Sequence, residues 1–307
     1  MPRRATPNEP SATSRSPWRC VPTPRTTARR STGRSNASPD SASRLGRSLL
    51  ERYDAFAFDL DGVIWLAHHI IAEAPGAIQA VRDTGKPLLF LTNNASYLPS
   101  WIVERLAEGG IAITEDEVLT SASAARTWVE REGLVGERAF VLGTKPVVDQ
   151  LADLLEIVPV ERGVKVGVVF VARDIELTYE RLTAASDAAR SGAVFAASNR
   201  DNVMPIPGGF EPGTGSILAA VEAASRRRAV SIGKPELPMM QAAAERLGHR
   251  RVLMIGDRCD SDVAGARAIG WDAALVLTGV TQPGDVLDPE PDYVLTTLAD
   301  LSGPAEA

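Results

Sequence analysis

From about Leu49 onward, short apolar runs alternate with amphipathic stretches. Ala55–Leu60 and Pro87–Thr92 read as buried strands, and Glu117–Thr120 as a shorter one. Between them, Ala74–Thr84 and Leu98–Gly109 carry apolar residues at helical spacing and stop at glycines, and Ala122–Glu132 continues the series. This βαβα alternation predicts a parallel, doubly wound α/β sheet of Rossmann-like type. The middle repeats the theme, with strands expected at Ala139–Leu142, Val164–Phe170 and Val194–Ala197 and helices at Leu151–Leu155 and Thr178–Ser191. Ser216–Arg227, Met239–Leu247, Arg251–Ile255, Val263–Ile269 and Ala274–Leu277 resume it. Two such layers predict two domains, with the Pro/Gly-rich stretch Met204–Gly215 as a hinge.

Residues 1–47 break the pattern. They are rich in Arg, Ser, Thr and Pro and lack apolar periodicity, so they are expected to be disordered. A non-functional tail or early start, an organelle transit peptide, and a basic arm for a polyanion all fit this composition. The net charge of −6 hides an asymmetry: ten arginines and two acids fall in 1–47, leaving the rest of the chain at about −14. An acidic body disfavours nucleic-acid binding. No apolar run is long enough to span a membrane. Cys20 and Cys259 sit in unlike settings, so no structural disulfide is expected and a cytoplasmic, reducing compartment fits. The histidines, His68, His69 and His249, have no metal-ligand spacing, which disfavours zinc.

The candidate chemistry begins where the first strand ends. Asp59 and Asp61 close an apolar run at i and i+2, so both side chains project to one side of an extended chain. Carboxylates are costly in a buried parallel strand unless they are paired or metal-bound. Three further features share this logic. Leu91-Thr92-Asn93-Asn94-Ala95-Ser96 offers a hydroxyl and amides at a strand end, a corner suited to phosphate. Lys234 lies between Gly233 and Pro235, with the proline expected to start a helix. Val252–Gly256 ends on Asp257, with Asp260 and Asp262 just beyond. Were Asp59, Asp61 and Asp257 to converge near about 4 Å, each pair would repel by about 4 kcal/mol at an effective dielectric of about 20. A divalent cation reverses that sign, and all-oxygen ligands select a hard ion such as Mg²⁺.

These residues resemble the haloacid dehalogenase-like hydrolases, and within them the phosphatases with a C2-type α/β cap, 4-nitrophenylphosphatase-like and phosphoglycolate phosphatase-like. The match is carried by FDLDGVIW at 58–65, FLTNNAS at 90–96, GKPE at 233–236 and GDRCDSD at 256–262, with Asn199-Arg200-Asp201 before a Pro/Gly stretch. Ser261 stands where many such proteins have threonine, and 1–47 has no counterpart in the family. The resemblance implies a core at 48–121 and 214–307 with an inserted cap at 122–213. It implies Asp59 as the nucleophile that forms an aspartyl-phosphate and Asp61 as the general acid and base. Thr92 and the Asn93 backbone would hold the phosphoryl group, and Lys234 would neutralise charge. Mg²⁺ would be held by Asp59, Asp257 and the Asp61 backbone carbonyl, with Asp262 supporting from behind. An acid at position 61 favours phosphate esters over halides, because an alkoxide must be protonated and a halide need not be. The loop between Trp65 and Ala74 is too short for a helical cap, which argues against a phosphomutase. The expected activity is hydrolysis of a small phosphate ester, and a homodimer through the cap is the expected assembly. A fold kept for binding without turnover is the alternative. His68 and His69 read as a solvated loop pair, Trp101, Trp128 and Met239-Met240 as packing, and Trp65 as either packing or entrance. Specificity is expected around Ala172–Ile175 and Asn199–Met204.

Overall fold

The computed structural model describes residues 48–303 apart from 207, 208 and 249. The 1–47 tail with Cys20, and His249, therefore lie outside the described residues. Two parallel sheets organise the chain. The first has six strands in the order Tyr293–Leu295, Asp272–Val276, Val252–Gly256, Ala55–Asp59, Leu88–Thr92, Val118–Thr120. Every neighbouring pair in it is parallel. The strand order reverses between Ala55–Asp59 and Val252–Gly256, and open α/β sheets bind ligands at such a switch point, beyond the strands' carboxyl ends. Asp59 ends one of these two strands and Asp257 follows the other.

Both central strands are buried along their whole length, which is why they read as continuous apolar runs. On one face Phe56 stacks on Phe58, and Phe58 leans against Phe90 of the next strand. The helices begin where their sequences dictate. Proline occupies the first turn at Pro75, Pro99, Pro146 and Pro238, where its missing N–H costs nothing. Thr120 and Thr178 accept backbone N–H groups from Ser123 and Arg181, capping the helices Ser121–Arg131 and Tyr179–Arg190.

The second sheet is inserted in the chain between Val118–Thr120 and Val252–Gly256, in the order Val230–Ser231, Val194–Ala197, Val168–Val171, Arg138–Leu142, Glu156–Ile157. One cluster of buried side chains runs from Ala57 and Leu91 of the first sheet to Val141 and Phe170 of the second. The α/β, doubly wound reading of the core holds, and several local expectations do not. The helix expected at Leu151–Leu155 lies earlier, at Lys145–Leu151, because Pro146 starts it, and Glu156–Ile157 is an edge strand. Val164–Phe170 becomes a strand only from Val168. The expected hinge Met204–Gly215 is instead a hairpin of Val203–Ile206 against Gly209–Pro212, followed by a helix. That helix, Thr214–Ser225, buries Ile217, Leu218 and Val221 with residues of the second sheet. Val230–Ser231 then pairs with Val194–Ala197. Residues 214–231, expected in the core, thus pack with the second layer. No helix among the described residues is long and apolar enough to cross a membrane.

Candidate active site

A cavity of about 330 Å³ opens between the two layers. First-layer residues Asp59, Asp61, Thr92, Asn93, Lys234 and Asp257 line it, as do Arg173, Asn199, Asp201, Val203 and Met204 from the second. Six residues singled out from sequence therefore meet at one place, although they span 198 positions.

Lys234 organises the floor. Its Nζ lies 2.7 Å from Asp59 Oδ1 and 2.7 Å from Asp262 Oδ1, and it also donates to the Leu91 carbonyl at 3.3 Å. Burial alone would favour losing the proton, but Asp262 and Asp59 outweigh it and hold the ammonium charged. Asp59 Oδ1 accepts a second bond, from the Leu60 N–H at 2.7 Å. One carboxylate oxygen is thereby pinned, and Oδ2 is left to the cavity. Burial pushes the Asp59 carboxyl up, Lys234 pulls it back, and the neighbouring acids Asp262 and Asp257 push it up again.

Asp257 is fixed through Oδ2, which accepts the Val280 N–H at 2.6 Å, while its Oδ1 is buried without a partner. Two glycines allow this placement. A Cβ on Gly62 would stand 2.3 Å from Asp257 Oδ2, and one on Gly279 only 2.0 Å. Gly62 also has φ +86°, which side chains rarely adopt. Burial, and then Asp262, push the Asp257 carboxyl up to about 7. Ligand oxygens of Asp59, Asp257 and Asp262 lie within 4.8 Å of one another. Three carboxylates share one ammonium, so the cluster lacks positive charge. The orphaned Asp257 Oδ1 and the all-oxygen donor set fit a hard divalent cation. Asp262 is the least free of the three: Oδ1 holds Lys234 and Oδ2 accepts the Arg258 N–H at 3.1 Å.

The Asp61 carboxylate stands apart from that cluster. Its Oδ1 accepts the indole N–H of Trp65 at 2.9 Å. Asp61 opens onto the cavity but is crowded by its walls, and that desolvation raises its pKa, opposed mainly by the Trp65 bond. Trp65 is itself buried and is absent from the cavity wall, so packing rather than entrance is its setting. It opens a small hairpin of Trp65–Leu66 against His69–Ile70, turned by Ala67 and His68 at φ 46° and 68°. His68 is not the solvated residue expected. It meets Trp65, Tyr97 and Trp101 edge-on, its Nε2 lies 3.1 Å from the Tyr97 hydroxyl, and it lines the cavity. Burial lowers its pKa.

The phosphate corner is built from turns. Thr92 Oγ1 accepts the Asn94 N–H at 3.0 Å, which leaves its own proton free to donate. The Asn93 side chain donates to Asp201 and to the Lys234 carbonyl, each at 3.0 Å, and its Oδ1 is buried unpartnered. Asn199 donates to the Asn93 carbonyl at 2.7 Å, tying the second layer to this corner. Pro235 does not start the next helix: Leu237–Leu247 begins two residues later, with Pro238 in its first turn. Arg173, inside the Ala172–Ile175 segment expected to set specificity, lines the cavity, and so does Arg258, which was given no role from the sequence.

Known proteins resemble this chain along most of its described length. A family model described as haloacid dehalogenase-like hydrolase matches residues 56–154, and one described as HAD-hydrolase-like matches 231–301. The chain is 31% identical over 283 residues to phosphoglycolate phosphatase 2 of Arabidopsis thaliana, covering 83% of this chain and 94% of that protein. The p-nitrophenyl phosphatase structure from Archaeoglobus fulgidus superposes with a TM-score of 0.75 at 30% identity, covering 81% of this chain and 98% of that one. A glycerol phosphate phosphatase from Mycobacterium tuberculosis, crystallised with magnesium, gives 0.77 at 29%, covering 85% and 81%.

Proposed function

We propose that this chain, which belongs to the haloacid dehalogenase-like hydrolases, is a phosphatase that removes phosphate from small phosphorylated metabolites with Asp59 as nucleophile and Mg²⁺ as cofactor. One observation supports this reading above the others. Asp59 is held at Oδ1 by Lys234 and a backbone N–H while Oδ2 remains available at the cavity, beside an unpartnered Asp257 oxygen. That is what in-line attack on phosphorus needs: an oriented oxygen, and positive charge around it.

Asp59 Oδ2 attacks the phosphorus and the ester oxygen leaves, giving an aspartyl-phosphate. Asp61, whose pKa is raised by desolvation, donates its proton to the leaving alkoxide. It then takes a proton from the water that hydrolyses the intermediate. Thr92 Oγ1 and the Asn93 backbone hold the transferring oxygens, and Lys234 offsets their charge. Asp59, Asp257 and the Asp61 carbonyl would hold Mg²⁺, whose positive charge offsets the negative charge gathered at the transferring group. Asp262 steadies Lys234. The division into a 48–121 and 214–307 core with a 122–213 cap belongs to this reading, shifted so that 214–231 moves with the cap. The second layer closes the site against water. A cytoplasmic setting and a homodimer through the cap complete the reading, and analytical ultracentrifugation reads the latter.

Similarity to a phosphoglycolate phosphatase, a D-glycerol 3-phosphate phosphatase and an acid sugar phosphatase supports small phosphate esters as the substrate class. The test is phosphate release from a panel of such esters with Mg²⁺ and with a chelator, using the parent and Asp59→Asn. The reading expects turnover that needs the metal and vanishes in the variant. A parent that releases no phosphate from any ester supports the alternative, a binding protein on the same fold.

A further inference from the structure

Resting on that phosphatase reading, we propose that the substrate is a phosphorylated acid whose second anionic group, a carboxylate, is recognised by Arg173.

Three cations line the cavity among the described residues, and two are committed. Lys234 is spent on Asp59 and Asp262. Arg258 forks onto Asp260 through Nε and Nη2, at 3.0 and 2.9 Å. Arg173 differs. It lies two residues past the strand Val168–Val171, so the second sheet brings it to the cavity. Its one side-chain bond among the described residues runs from Nη2 to Glu211, on the hairpin Val203–Ile206/Gly209–Pro212. A guanidinium has five N–H donors in a planar fork, so most of Arg173's donating capacity is unspent. Apolar side chains, Leu66, Val203 and Met204, line the same cavity.

A guanidinium so placed suits a planar anion with two oxygens. The phosphoryl group cannot be that anion, because Thr92, Asn93 and Lys234 take it at the floor. Arg173 is therefore the cavity cation, among the described residues, with fork donors left for a ligand. Glu211 is half-exposed and sits on a surface hairpin, so it can yield its place to a ligand carboxylate.

The test uses a matched pair of esters, 3-phosphoglycerate and glycerol 3-phosphate, which differ in carrying a carboxylate or a hydroxymethyl group. With 2-phosphoglycolate as a second acid, kcat/KM is measured with Mg²⁺ for the parent, Arg173→Met and Glu211→Gln. The parent should prefer the acids. Arg173→Met should lower the acid-to-neutral ratio by at least about tenfold, mostly through KM. Glu211→Gln should keep the parent's ratio or raise it. A ratio in Arg173→Met within about threefold of the parent's overturns the proposal. So does an equal loss on all esters in both variants, which would make the pair a strut for the hairpin. A parent active on 4-nitrophenyl phosphate but without preference for the acids overturns it as well. A parent inactive on every ester, 4-nitrophenyl phosphate included, overturns the phosphatase reading instead.

Discussion

Replacing Lys234 by methionine keeps most of the side chain's volume and removes the ammonium shared by Asp59 and Asp262. At 2.7 Å and an effective dielectric of about 20, each of those ion pairs is worth about 6 kcal/mol in Coulomb energy. Desolvating the three ions cancels much of this, so the net loss on removing one buried partner is about 3–5 kcal/mol. The variant leaves three acids within 4.8 Å of one another, each pair repelling by about 3.5 kcal/mol at that distance. The Asp59 and Asp257 carboxyls, already raised and held down in part by Lys234, then rise further. A raised carboxyl group contributes stability below its unfolded pKa and loses it as pH climbs through the folded value. The penalty in Lys234→Met is therefore larger near about pH 8 than near about pH 5. Urea unfolding of parent and variant at both pH values, in chelator and in Mg²⁺, measures this. The variant should lose most stability at the higher pH in chelator and regain part of it with the cation. Equal midpoints for the two proteins, or a larger penalty at the lower pH, would refute the reasoning.

Three other outcomes follow from the same contacts. Trp65→Phe removes the indole N–H that stabilises the charged form of Asp61, so the Asp61 limb of the pH–rate profile should move upward and kcat should fall about tenfold. Because Trp65 is buried, urea unfolding of that variant should also show a loss of packing. Gly279→Ala would drive a Cβ into Asp257 Oδ2, and Mg²⁺ affinity by calorimetry should fall about 10- to 100-fold. Metal-free parent protein should lose stability as pH rises from about 4 to about 7, because Asp257 is held at about 7 against an ordinary 3.8. That shift is worth about 4 kcal/mol, and saturating Mg²⁺ should flatten the trend.

The floor of the site was readable in the sequence because its residues break a pattern. Asp59 and Asp257 each follow an apolar strand whose burial gives a carboxylate no structural reason to be there. Thr92 ends a third such strand. The walls were readable only as segments: Ala172–Ile175 and Asn199–Met204 were expected to set specificity and do reach the cavity, but the contacts of single residues depend on partners distant in the chain. His68 looks like a solvated loop residue until Tyr97 and Trp101 close on it. Arg173 acquires a role only when the second sheet carries it to the cavity and Glu211 arrives on the hairpin. That hairpin was itself hidden, since Met204–Gly215 is rich in Pro and Gly and carries no strand alternation. Helix starts were misjudged where the wrong proline was weighed, Pro235 instead of Pro238, and where apolar content was weighed above Pro146.

The claim at the centre of the account is that Asp59 itself takes the phosphoryl group, and a rapid acid quench during steady-state turnover with Mg²⁺ tests it directly. Peptide mass spectrometry should then find one phosphoryl group on the peptide carrying Asp59, absent when the metal is chelated. Brisk turnover with that peptide unmodified and the phosphoryl group on another residue would contradict it.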